Sequence, residues 1–470
     1  MTLMKSLLLG SAAGVVAVAS AQAADLPTRK GPVAAEYVKV CSITVAGAPV
    51  VGFVLPGSDT CFKISGYVVG QIEGGNISQS YSVIDYSGTT SRNQAINGFV
   101  VPGRVNDTFN RDSFGFSTRA NLTMDAVSNT AYGPLVSHAE YQFNHSGGFD
   151  NLGSGGSDGG LNQAYVTWAG LTAGKIASFF AFQGGGLGYA NFFSSDRKGF
   201  NEPDVLAYTA SFGGGFSATI SIEDPKGGGG GSDYNGNGGS IANTTYTYGG
   251  MRVPDIVGSL DVKQAWGQAH IAGMGHNVRA VSALGDGVTQ DTWGYAINAG
   301  VQFNIPNLAG STIGAFGEWS RNAVLAGGLP DGMWDGTAND NGQSMPLADT
   351  SYNGNGTWAT PESWSVTGYA NFAVNPEVTI GVEGSYGEIS WSGLTPTSML
   401  SNSKAYLVGV VGHYDPVKNL DFEMELLYEN TQTAQPIGYL ADPVAADGNT
   451  NGWHGGADGF AARFQVQRNF

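Results

Sequence analysis

From Phe460 to the final Phe470 the chain alternates. Phe460, Ala462, Phe464, Val466 and Phe470 fall on one parity, with Arg463, Gln465, Gln467 and Asn469 between them. Period-two alternation marks a strand with one apolar and one polar face. A terminal carboxylate beside a final aromatic is costly in a soluble core. It suits a strand whose apolar face meets lipid and whose last aromatic lies in an interfacial girdle, as in a transmembrane β-barrel. That reading fixes compartment, solvent and fold class together.

The N-terminus points to the same compartment. Lys5 is a short positive region, Leu7 to Ala19 is an apolar run, and Ala21-Gln22-Ala23 is a small-x-small cleavage site. Residues 1–23 therefore read as a secretory signal, with the mature chain starting at Ala24. Beyond it no stretch approaches the ~20 apolar residues of a spanning helix. Charged residues are 13% of the chain, against about 25% in ordinary soluble domains. The 73 glycines fit long loops between alternating strands. The net charge of −17 becomes −18 once the signal, with Lys5 and no acid, is removed. Nucleic-acid binding needs a basic footprint and is excluded as a function class.

Cys41 and Cys61 are the only cysteines. In an oxidising compartment an isolated pair reads as a disulfide. It would close a loop worth about 3 kcal/mol in the chain-entropy model. The alternative, a metal or redox pair, lacks a neighbouring histidine or further cysteine. Residues 24–61 read as a periplasmic N-terminal segment outside the main sheet.

From Phe62 onward, alternating segments of about ten residues recur, the length of a tilted membrane-crossing strand. Phe114, Phe116, Thr118, Ala120 and Leu122 alternate with Ser113, Gly115, Ser117, Arg119 and Asn121; Phe216, Ala218, Ile220 and Ile222 alternate with Ser217, Thr219, Ser221 and Glu223. A hairpin is expected from Trp364–Ala373 through Val374-Asn375-Pro376-Glu377 to Val378–Ser390. In Leu420–Asn430, Leu420, Phe422, Met424, Leu426 and Tyr428 face one way, and Asp421, Glu423, Glu425 and Glu429 the other. A water-filled lumen would host such a row of acids. The count is about sixteen strands, with connections alternately short and long, as periplasmic turns and outer loops alternate in bacterial barrels. The long connections fall near 73–112, 146–160, 181–203, 225–255, 278–290, 322–361, 391–403 and 431–459.

The motifs of catalysis are missing. Gly170 to Ile176 imitates a phosphate loop, but its glycine spacing is one short and Ile176 stands where Ser or Thr is needed. His138, His145, His270, His276, His413 and His454 are scattered, with no metalloprotease spacing and no nucleophile elbow. The Gly153–Gly160 and Gly227–Gly231 tracts read as surface loops.

The functional segment that stands out is the third long loop, 181–203, with Asp196, Arg197, Lys198 and Glu202, and Asp204 at its edge. It is expected to fold into the lumen. Lys63 and Arg119 face the lumen by alternation. Lys175 shares parity with Leu171 and Ala173, which argues outward; a lysine in mid-membrane lipid costs ~2–4 kcal/mol, so it is placed inward. Loop acids opposed to wall cations across a constriction would set a transverse field favouring small polar solutes.

The leader Met4 to Ala13, then Glu36 to Cys41, Pro56 to Cys61, Ile64 to Tyr67, Leu206 to Ala210, Pro254 to Val257, Gln264 to Gly267 and the end Phe464 to Phe470 resemble the alphaproteobacterial outer-membrane porins of Rhizobiales and Brucella type. The resemblance spans nearly the whole chain. It implies a sixteen-stranded antiparallel barrel at 62–470, homotrimers in outer-membrane lipid, and passive diffusion of small hydrophilic solutes and ions past an inward third loop. The reading is of a general-diffusion porin with no catalytic step, cofactor or metal. The alternatives are a barrel hydrolase or protease, which would show turnover, and a surface-structural protein, which would give no conductance.

Overall fold

The computed structural model describes residues 39–75, 94–96, 99–101, 114–148, 156–182, 202–225, 246–282, 284–328, 349–396, 401–434, 437 and 456–470. The expected signal at 1–23 lies outside them. The barrel strands are β1 (Cys61–Gly75), β2 (Phe114–Thr130), β3 (Gly133–Gly148), β4 (Gly156–Trp168), β5 (Leu171–Lys175), β6 (Asp204–Gly213), β7 (Phe216–Glu223) and β8 (Asp255–Gln264). They continue as β9 (Gly267–Ser282), β10 (Thr289–Asn304), β11 (Thr312–Arg321), β12 (Trp358–Asn375), β13 (Val378–Ser392), β14 (Ser403–Val417), β15 (Leu420–Thr433) and β16 (Gly456–Asn469). Each pairs antiparallel with the next, and β16 returns to β1 from Asn469↔Tyr67 to Ala461↔Gly75. The sheet is thus a closed barrel of sixteen strands, which leaves no long edge.

One end carries short turns, such as 131–132, 169–170, 265–266 and 376–377; the other carries every long connection. The expected alternation is present except around β10: β9 runs on to Ser282 and β10 begins at Thr289, so the connection expected to be long at 278–290 is only 283–288, shorter than 305–311 at the other end. Strand lengths run from the five residues of β5 to the 18 of β12. β5 stops at Lys175 because the chain there turns into the lumen instead of continuing the wall to 180.

The faces segregate as a lipid-embedded barrel requires. Ile64, Val68, Leu122, Ile220, Leu260, Ile271, Val366 and Val382 stand exposed on the outer face. Near the short-turn end this band is bordered by exposed Tyr132, Trp168, Phe212, Trp266, Phe303 and Phe470, and towards the other end by Phe114, Trp293, Trp364, Tyr406 and Phe460. Those are two aromatic girdles, the interfacial positions where amphipathic rings settle. No described helix is long and apolar enough to cross a membrane.

The last residue closes the seam. Phe470 N donates to Gly66 O at 3.0 Å and Gly66 N donates to Phe470 O at 3.1 Å. A Cβ at Gly66 would fall 2.1 Å from Asn121 O and 3.0 Å from the Phe470 ring, so only glycine admits that approach.

The N-terminal segment departs from expectation. Val40–Val45 and Ala48–Val54 form a hairpin over a two-residue turn, Ala46 and Gly47, both at positive φ, the geometry that matches strand twist. Its second strand pairs with β1 at Phe53↔Phe62 and Val54↔Cys61. The reason is that β1 runs past the end of β16, and the hairpin covers the edge left open. The segment 24–61 therefore contributes strands to the main sheet at its periphery.

Cys41 and Cys61 are disulfide-bonded, closing a separation of 20 residues. Because only two cross-strand pairs tie the hairpin to β1, the bond, worth about 3 kcal/mol, is expected to hold the hairpin and not the barrel. After reduction and alkylation, protease should cleave within 39–60 while the barrel stays resistant. Equal resistance before and after reduction would refute that division.

Candidate pore lining and loop anchors

Alternation sets which side chains reach the lumen. On β2 Phe116 is exposed outward, while Ser117 and Asn121 are buried inward and Arg119 shares their parity. Arg119 Nε donates to Asn144 Oδ1 of β3 at 2.7 Å. Lys63 lies on the lumen parity of β1, directly opposite Asp125 in the β1–β2 register, where opposite charges attract across strands. Asp125 accepts from His138 Nδ1 at 2.7 Å, and the His138 ring stacks on Tyr165 at 4.7 Å. Glu140 collects amide donors from Asn121 (2.7 Å), Gln142 (3.1 Å) and Asn162 (2.9 Å). The β2–β4 wall is therefore a lattice of charges held by neighbouring amides and an imidazole.

That lattice continues to the far base of the third loop. Glu202 Oε2 accepts from Lys175 Nζ at 2.9 Å, and Oε1 from Gln163 (2.7 Å) and Asn162 (3.3 Å). Lys175 also donates to the Asn162 carbonyl. Strand parity sends the Lys175 Cβ outward, but the strand ends there after Gly174 at φ 125°, and the ammonium turns to Glu202. Asp204 differs: it shares the exposed parity of Leu206 and Tyr208 and stands on the outer face. The expectation that it faces the wall cations is thereby corrected, because β6 has already begun at that residue. Asp196 lies outside the described residues.

The near base of the same loop is anchored across the barrel. Lumen-facing Glu223 accepts from Ser178 Oγ at 2.5 Å, Phe179 N at 3.1 Å and Ser221 Oγ at 2.7 Å. His270, held by Asp261 at 2.7 Å, meets the Phe180 carbonyl through Nε2 at 3.1 Å. Phe180 is buried in an apolar cluster with Val257, Ala272, Met274 and Ala296 of β8–β10. The Phe182 ring lies on Gly300 of β10, where a Cβ would fall 2.4 Å from it, and packs on Phe316 and Tyr369. Gly300 is a socket for that ring.

The acids of β15 are arranged otherwise than expected. Asp421 accepts from His413 Nδ1 at 3.0 Å. Glu423 and Glu425 are 4% and 0% exposed, and both bind Arg463 Nη2, at 2.7 and 2.5 Å. Gln465 Nε2 donates to Glu423 at 2.6 Å. This is a buried ion cluster on the inner wall, not an open row facing water; the alternation of β16 puts Arg463 opposite Glu425 and between them both charges leave solvent. Among the described residues His413, Asp421 and Glu423 bring donor atoms within 4.8 Å of one another. Glu423 has both oxygens engaged by Arg463 and Gln465, so the donor set is spoken for.

Comparison with known proteins agrees with this architecture. The family model for the porin subfamily matches residues 25–454. The chain belongs to the porin subfamily. Porin Omp2b of Brucella suis biovar 1 (strain 1330) is 32% identical over 340 residues, covering 71% of this chain and 77% of that one. Porin Omp2b of Brucella neotomae is 34% identical over 275 residues, 57% of this chain and 64% of that one. Among solved structures, the outer membrane channel DcaP of Acinetobacter baumannii superposes with a TM-score of 0.56 at 14% identity, covering 89% of this chain and 99% of that one, a likeness of fold.

The chain is thus an outer-membrane diffusion porin, crossing the membrane with its strands. Its short turns are then periplasmic and its long connections external. Sequence reading of this porin missed Phe182, Gly300, His270, His138 and the anchoring role of Glu223. The alternation of 216–223 had already put Glu223 among lumen-facing Ser217, Thr219 and Ser221. The histidines have no metal or catalytic spacing in the sequence; the parity of His138 on β3 and of His270 on β9 is the signal that marks them as lumen-facing.

Proposed function

We propose that this porin conducts small hydrophilic solutes and ions passively through a charged narrowing between the third loop and the β2–β4 wall. Asp196 and Glu202 supply the loop's negative side, and Lys63, Arg119 and Lys175 the wall's positive side; Asp204 takes no part. The observation that carries this is the Glu202 contact: its carboxylate is held by Lys175, Gln163 and Asn162 on the inner wall. The loop's two bases thus grip lumen-facing residues on either side. No turnover or cofactor enters the reading; solutes cross down their gradients. The exposed apolar band suits outer-membrane lipid and, over part of its circumference, two further copies in a homotrimer.

Reversal potentials in a salt gradient test the narrowing. Glu202→Gln, alone or with Asp196→Asn, should lower cation preference. Lys175→Met should raise it, since it leaves Glu202 uncompensated. Fixed charge sets local ion concentration in a narrow pore. Both shifts should shrink at 1 M salt, where the Debye length is about 3 Å. Unchanged reversal potential and conductance at low salt in both variants would place the narrowing elsewhere. Substrate turnover by the purified protein would favour a barrel enzyme instead.

A further inference from the structure

A second external connection also enters the barrel. After β11 the chain forms a single 3-10 turn, Val324–Gly327, closed by Gly328 at φ 59°. Ala323, Val324 and Ala326 are buried. Ala323 and Ala326 belong to the same cluster as Phe180, so this turn and the third loop's near base share one apolar core against the inner wall. Val324 joins a second cluster with inward-facing Ala280, Ala359, Ile389, Trp391 and Ala405.

Polar contacts fix the turn as firmly. Val324 N donates to Asp349 Oδ1 at 2.6 Å. His276 of β9 lies between Asp255 at 2.6 Å and Asp349 at 3.3 Å, so both ends of the connection are fastened to the wall. Ser363 Oγ reaches the Val324 carbonyl at 3.4 Å and Ser320 Oγ at 2.7 Å. Gly327 lies directly on these hydroxyls: a Cβ there would fall 1.9 Å from Ser363 Oγ and 3.0 Å from Ser320 Oγ.

The two halves of the lumen consequently differ. Ser320, Ser363 and Ser365 on β11 and β12 are at most 3% exposed. Arg119, Gln142 and Asn144 on β2 and β3 remain partly open. Ser117 and Asn121 on β2 are buried as well, so burial alone does not mark the filled side. What marks it is that the turn itself lies on Ser320 and Ser363, through the Val324 carbonyl and Gly327.

We propose that the turn after β11 is a second constriction element, and that with the third loop's near base it closes the β8–β12 side of the lumen and confines conduction to the β2–β4 side. This rests on the diffusion-porin reading and adds to it where the path runs and what bounds it.

Single cysteines test the proposal, since the native pair is disulfide-bonded. Gln142→Cys and Asn144→Cys report the proposed path; Ser320→Cys and Ser365→Cys report the closed side. The probe is a water-soluble cationic methanethiosulfonate added to channels in a planar bilayer, read as loss of conductance and, for the closed side, as mass increase. Modification at 142 and 144 should be at least about tenfold faster than at 320 and 365, a ratio equivalent to about 1.4 kcal/mol of local opening. Adding Ala326→Asp, or the milder Gly327→Ala should the aspartate block folding, should bring the closed-side rates up towards those of the path. Equal rates in the parent channel, or slow rates that neither turn variant changes, would overturn the proposal. Failure of the parent protein to conduct at all would instead refute the porin reading, leaving the relative thiol rates as an independent result.

Discussion

Replacing Arg463 with leucine is expected to destabilise the barrel by about 3–5 kcal/mol, the cost of stripping one partner from a buried ion pair. Arg463 is 2% exposed and its Nη2 lies 2.7 Å from Glu423 and 2.5 Å from Glu425. Glu73 of β1 is its register partner across the closing seam and is itself buried. Without the guanidinium, carboxylates on β15 and β1 would share a water-poor site with no cation between them. The variant Arg463→Leu with Glu425→Leu should recover much of the loss, because a well-packed apolar pair can match a buried ion pair in stability. Urea unfolding of the refolded protein in lipid gives the comparison. A single variant within about 1 kcal/mol of the parent, the value of a surface pair, would show that water reaches this cluster after all.

The same residues show what sequence reading delivers and what it does not. Strand order, the closing seam and the inward side of β15 follow from local alternation, since a period of two is fixed by backbone geometry alone. That rule puts Asp421, Glu423 and Glu425 on the inner face. Whether the inner face meets water depends on what else fills the barrel, and that is set by contacts distant in sequence: β16 against β15, the third loop's base against β9 and β10. Lys175 and Asp204 make the point at single residues. Both lie at strand ends beside the same loop, and the direction of each was decided by a boundary of a few residues, the least legible quantity in a sequence. Glu202 was expected in the narrowing; its partners Gln163 and Asn162 come from β4, where a register shift beside Glu140 reorients the strand, and no local pattern announces such a bulge.

Gly300 offers the most direct test of the loop's anchorage. Its missing side chain leaves the ground on which the Phe182 ring rests, and a valine there would place its Cβ 2.4 Å from that ring. Wall and ring cannot both occupy the space, so Gly300→Val should evict Phe182 while leaving β10 intact, because β-branched residues suit a strand interior. Phe182 is only partly buried, which puts its anchoring below the 3–5 kcal/mol of a fully buried Phe→Ala change, at about 2 kcal/mol, a factor of roughly thirty in the ratio of seated to unseated loop. Glu223 and His270 still hold residues 178–180, so the expected change is local: a higher and noisier single-channel conductance in Gly300→Val, with no loss of global stability. Phe182→Ala should reproduce it, and the double variant should add little, since both changes remove one contact. Conductance unaltered in both single variants would show that the ring, although seated, does not restrain the loop.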